Sequence, residues 1–144
     1  MSAAEIKAVQ ENWRIVRDDI VGVGCNIFHE LFRVNDSYTD MFSGIREAGD
    51  ISTGNPKLRE HAVRVLTALD SAIVALSDPP VLEGLLLRQG AEHIPRKVYQ
   101  QHFSDMQKAL VVVLGNTLGD QFNRPAFDKV FSKIIALLVR GQKG

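Results

Sequence analysis

Apolar residues recur every three or four positions along most of the chain, and strict alternation never persists beyond a few residues. That periodicity predicts helices and no sheet. The first segment opens at Ser2, an N-cap residue type, with Glu5 three positions later as in a capping box. It carries Ile6, Val9, Trp13 and Val16 at helical spacing. A second segment runs from about Asp19 to Val34, with Ile20, Val23, Ile27, Phe28, Leu31 and Phe32 as its apolar positions. "RVNDSYTDMF" is turn-rich and predicts a short helix, and "REAGDISTGNP" reads as a loop. Pro56 suits the first turn of a helix that extends through Leu76 and stops at "SDPP". A segment from Val81 to His93 ends at "HIPRK". Two longer ones follow, from about Tyr99 to Leu118 and from about Arg124 to Arg140. The pattern describes one all-α domain over residues 1–144, with short connections except around Gly44 to Asn55.

Composition narrows the function by exclusion. The 144 residues suit one domain with one sizeable core. Seventeen basic and seventeen acidic side chains balance, so no electrostatic footprint for nucleic acid or an anionic membrane exists. The longest apolar runs, such as "KALVVVL" and "KIIALLV", are too short to span a bilayer. "MSAAEIKAVQENW" lacks the apolar centre of a secretory signal, and Cys25 is the only cysteine. The expected setting is therefore a reducing cytoplasm without disulfides. Cys25 sits beside Gly24 in an apolar helix, where a buried structural thiol is expected.

Catalytic signatures are missing: there is no GxSxG, no phosphate-binding glycine loop and no HExxH. Asp18 and Asp19 read as a helix-start charge cluster rather than an acid/base pair. The histidines remain. His29 and His102 have polar neighbours and read as surface or rim residues. His61 shares a stripe with Leu58, Val65, Leu69 and Ala72, so it is expected to face inward. Alone, it fits a core histidine bonded to a backbone carbonyl. His93 ends a second apolar helix, with Leu86 on much the same face. Neither histidine has a second ligand at the spacing a zinc site needs on one helix. One inward histidine on each of two helices suits a flat ligand held between them, such as haem.

At these residues the chain resembles the globin family, and the resemblance covers essentially its whole length. Trp13 stands where many globins carry a first-helix tryptophan. "CNIFHELF" resembles their second helix, with Gly24 at its close-contact position and Ala62 as the small partner on the crossing helix. Phe42 in "YTDMF" matches the phenylalanine that stacks on haem. "KLREHAVRVLTAL" matches the distal helix, and "EHIPRKVYQQHF" the end of the proximal helix and the next helix start. The nearest flavour is the intracellular haemoglobins of molluscs. The resemblance implies a globin fold, six to eight helices around a pocket for haem b (iron protoporphyrin IX).

It further implies His93 as the proximal iron ligand, its second nitrogen bonded to a carbonyl of its own helix. His61 would be the distal histidine, donating a hydrogen bond to bound dioxygen, and carbon monoxide would gain less from it. Phe28 and Val65 would wall the distal side. Phe42, Leu86, Val98 and Phe103 would contact the porphyrin, and Arg96 would either meet a propionate or stay free. Two departures stand out: Asp36 where the family often has proline, and Gln89 where a hydrophobic residue is usual. The expected function is reversible dioxygen storage or transport rather than enzyme catalysis. Nitric oxide dioxygenation, pseudo-peroxidase chemistry and a six-coordinate sensor with His61 on the iron are the alternatives, nitric oxide being a further ligand. A homodimer through the haem-bearing helices is suggested, but no sequence feature specifies it.

Overall fold

In a computed structural model that describes residues 1–42 and 44–143, each helix boundary has a local cause. α1 (Ala3–Asp18) starts at the expected capping box: Glu5 N–H donates to Ser2 Oγ at 3.1 Å, and Ser2 N–H donates to Glu5 Oε1 at 2.9 Å. Asp19 separates α1 from α2 (Ile20–Val34), and its carboxylate accepts from Gly22 N–H at 3.0 Å. Of the acidic pair at this junction, Asp19 is therefore the cap of α2, and Asp18 is the last residue of α1. A short 3₁₀ helix spans Asp36–Met41. Pro56 opens α3 (Pro56–Val74), which tightens into a 3₁₀ turn at Ala75–Ser77. α4 (Pro79–Glu92) begins two residues before the periodicity predicted, because tandem prolines fit a first turn. α5 (Gln100–Leu118) ends in a 3₁₀ turn at Gly119–Gln121, and α6 (Arg124–Lys143) runs beyond Arg140. No strand occurs among the described residues.

The connection before α3 is a loop, but not a loose one. Asn55 is only 2% exposed. Its side-chain carbonyl caps α3 by accepting from Lys57 N–H and Leu58 N–H. Its amide donates to the carbonyls of Ile45, Gly49 and Asp50. Ile45 is fully buried beneath the same turn. One asparagine thus ends the loop, starts the helix and anchors the stretch behind Phe42. Ser43, inside the stretch read as turn-rich, lies outside the described residues.

Two close helix approaches organise the core. A Cβ at Gly24 would lie 2.8 Å from Ala62 Cβ, so α2 and α3 meet at the two small residues singled out from the sequence. Between α4 and α6 the approach is closer. A Cβ at Gly90 would lie 2.0 Å from the Leu138 carbonyl oxygen, and one at Gly141 would lie 2.2 Å from that of Leu87. Each glycine sits against the other helix's backbone, which no larger residue permits. Trp13 is buried and donates its indole N–H to Asp70 at 3.1 Å; the same oxygen accepts from Arg17. Cys25 is buried, and desolvation raises its thiol pKa, as befits an inert structural thiol.

α3 buries Leu58, Ala62, Leu66, Ala72 and Ile73, and His61, Val65 and Leu69 lie half-buried beside them, Val65 and Leu69 packing on the core and His61 against Phe42. Ala62 and Leu66 face Gly24.

Candidate functional site

α4 ends at Glu92, and His93 is its capping residue with near-helical angles (φ −84°, ψ −14°). A helix end leaves carbonyls without intrahelical partners. His93 Nδ1 lies 2.6 Å from the carbonyl oxygen of Gln89. A carbonyl only accepts, so Nδ1 carries the hydrogen, and the tautomer this selects for the neutral ring leaves the lone pair on Nε2. Phe103, from the first turn of α5, meets the imidazole edge-on with ring centroids 5.4 Å apart. The bond and the ring together restrict rotation, leaving one oriented nitrogen donor on a half-buried side chain. What matters at Gln89, a departure from the family's usual hydrophobic residue, is its main-chain oxygen, which any residue supplies.

His61 approaches from α3. Its ring lies edge-on to Phe42 at 5.1 Å, and Phe42 packs against Phe28 at 5.2 Å and Phe32 at 5.8 Å. Phe28 is fully buried. Burial first, and then the charge of Arg64, hold the His61 pKa below the usual histidine value; Glu60 opposes them, and Lys57 and Arg96 add to the lowering. Its ring has no hydrogen-bond partner among the described residues. His61 is thus a neutral imidazole with an uncommitted N–H beside a wall of phenylalanine rings.

The sign of the pH dependence follows. The unfolded chain takes up the His61 proton near 6.5, whereas the folded chain resists it. The contribution to stability is complete above that value and is lost as the pH falls through it toward the depressed folded pKa. His61→Leu is therefore expected to flatten the decline of urea-unfolding stability below pH 6.5. An unchanged slope would show that His61 titrates alike in both states.

The other residues expected at the site are placed as follows. Val65 is half-buried one turn beyond His61 and packs on the core. Leu86 is sealed in the core at 1% exposure. Val98 is half-buried, and its carbonyl accepts from Gln142 Nε2 at 2.6 Å, tying the turn after His93 to α6. Arg96 is exposed, yet near enough for its charge to act on His61, so the α4–α5 turn faces α3. His29 is exposed as expected. His102 is not a simple surface residue: it is half-buried, and its Nδ1 accepts from Tyr99 N–H at 2.9 Å, which caps α5. Tyr38, buried and donating its hydroxyl to Asp105, went unassigned in the sequence; nothing in local spacing joins residues so far apart.

The donor set decides what the site can hold. No group of three or more His, Cys, Asp or Glu side chains that could hold a bare metal ion occurs among the described residues. A single oriented imidazole nitrogen beside aromatic and aliphatic side chains fits a metal that arrives with its other ligands, as haem iron does. The fold and this donor define a helical haem protein. Comparison with known proteins makes the class narrower. The Globin family model matches residues 25–138. A globin from Aequiyoldia eightsii is 31% identical over 137 residues, covering 92% of each chain. A protein named anaerobic nitrite reductase from Brassica napus is 28% identical over 140 residues, covering 93% of this chain and 86% of its own. A neuroglobin from Chaenocephalus aceratus is 25% identical over 146 residues, covering 98% and 92%. The chain belongs to the globin family, whose members bind haem, and it resembles the globins of the molluscs Aequiyoldia eightsii and Nerita albicilla.

Proposed function

We propose that this globin binds dioxygen reversibly for storage or transport, holding haem b through His93. When bound, the haem would supply a ferrous iron able to take up a diatomic ligand. Everything else is the work of side chains. His93 offers Nε2 and holds its ring still through the Gln89 carbonyl and Phe103. Phe28, Phe42 and Val65 keep water from the distal side, which slows oxidation of the iron. His61 donates its N–H to the polar ligand. Carbon monoxide and nitric oxide, less polar when bound, would gain less. We place the protein in the cytoplasm, where a lone thiol such as Cys25 stays reduced.

The observation that carries this reading is the state of His61: half-buried, held neutral, and without a partner among the described residues. A hydrogen bond from such a group in a dry pocket is worth about 1.5–3 kcal/mol. His61→Leu is therefore expected to raise the dioxygen dissociation rate at least about tenfold in stopped-flow displacement by carbon monoxide. An unchanged rate would mean that His61 does not touch the ligand. The same unpartnered ring supports a second reading, in which His61 itself binds the iron and the protein acts as a sensor. The similarity to a protein named anaerobic nitrite reductase supports an enzymatic variant of either, acting on nitrite.

A further inference from the structure

Serine, threonine, aspartate and asparagine all cap a helix through a side-chain oxygen. Only asparagine among them also brings an NH2 group with two donors. At Asn55 both ends are used. The oxygen accepts from Lys57 N–H at 3.0 Å and from Leu58 N–H at 3.1 Å. The amide nitrogen faces three carbonyls, those of Ile45 at 2.7 Å, Asp50 at 3.1 Å and Gly49 at 3.2 Å. Two hydrogens are thus shared among three acceptors, with the shortest bond to Ile45. The surroundings fix which end is oxygen, because the α3 N–H groups only donate and the loop carbonyls only accept.

Two short paths lead from this residue to His61. On the first, Ile45 is fully buried and its N–H donates to the Phe42 carbonyl at 3.5 Å. The Phe42 ring in turn meets the His61 ring edge-on at 5.1 Å. On the second, His61 lies six residues beyond Asn55 on α3, about 9 Å along the helix axis. Leu58, between them, is fully buried and holds the first turn of α3 in place. The His61 ring has no hydrogen-bond partner among the described residues, so no bond of its own fixes it. Its place is set by the helix that carries it and by the phenylalanine it touches. Asn55 joins those two. Capping alone accounts for the bonds to Lys57 and Leu58, but not for an amide buried against three loop carbonyls.

We propose that Asn55 is a positioning residue for dioxygen retention: by tying the Phe42 corner to the start of α3, it fixes the place of the His61 ring. Without the tie, Phe42 and α3 move independently, and His61 donates from a spread of positions instead of one. A hydrogen-bonding group displaced by a fraction of its bond length loses much of its effect. The inference rests on His61 donating to bound dioxygen.

The test compares the haem-loaded protein with its Asn55→Ser and Asn55→Asp variants. Both keep a capping oxygen and remove the amide donors, and Asn55→Asp also sets an oxygen against the loop carbonyls. Amide hydrogen exchange should quicken over residues 44–54, while Lys57 and Leu58 stay protected. Dioxygen dissociation should quicken at least about threefold in Asn55→Ser, and further in Asn55→Asp. In a His61→Leu background neither replacement should change the rate again. Val130→Ala, a buried truncation on α6 outside this network, should lower stability and leave the rate as in wild type. A purely structural tie would loosen the loop without moving the rate. An unchanged rate in His61→Leu itself would overturn the reading of His61, and this inference with it. A faster rate in His61→Leu beside wild-type rates in both Asn55 variants would overturn this inference alone. So would unquickened loop exchange, or an Asn55 effect that persists in full in the His61→Leu background.

Discussion

His93→Ala is expected to release haem from the purified protein, with added imidazole restoring much of it. His93 is the oriented nitrogen donor of the site, and neither His102 nor His29 is placed to replace it. The His102 Nδ1 already accepts from Tyr99 N–H, and His29 is exposed on α2. Losing only a supporting hydrogen bond to a metal-binding histidine costs about 10–100-fold in affinity, so losing the ligand itself should cost more than about a hundredfold. Haem stoichiometry and the Soret band before and after a competition with apomyoglobin measure this. Full haem content with an unaltered band in His93→Ala would remove His93 from the iron.

The second large effect concerns stability. Gly90→Ala is expected to destabilise the fold by roughly 1–3 kcal/mol or more, although alanine is the better helix former. The added Cβ would lie 2.0 Å from the Leu138 carbonyl oxygen and 2.8 Å from its carbon, and backbone cannot swing aside as a flexible side chain can. α4 would have to lift off α6, and His93 lies three residues further along, so haem affinity should fall with stability. Gly84 provides the control on the same helix. A Cβ there meets nothing within 4 Å, so Gly84→Ala should be neutral or stabilising by about 0.5–1 kcal/mol. Equal urea midpoints for the two variants would show that the α4–α6 approach is looser than described.

Much of this molecule was legible before any coordinates. Period and caps placed the helices because both are local: Ser2 with Glu5, and Pro56, act within a few residues of themselves. Gly24 and Ala62 were legible only through the family resemblance, and the structure brings them together as a close contact. Gly90 and Gly141 went unnoticed, since a glycine in a helix declares its purpose only when the facing backbone is known. The pinning of the loop by Asn55, the capping by His102 and the Tyr38–Asp105 bond all join residues through tertiary proximity or through side-chain roles that spacing does not encode. His61 and His93 were singled out by their helix positions, while their separate roles and the other site residues came from the resemblance. What the structure adds is the environment of each: a bonded Nδ1 on His93, an unbonded ring on His61, and aromatic edges on both.

The most direct test of reversible dioxygen binding is the visible spectrum of the purified protein, reduced without oxygen and then exposed to it. One broad band that splits sharply on oxygenation, and returns when oxygen is withdrawn, is the expected result, because His61 then stands beside an open ferrous site. A sharp pair of bands already present before oxygen is admitted would contradict it, since His61 would itself occupy the iron.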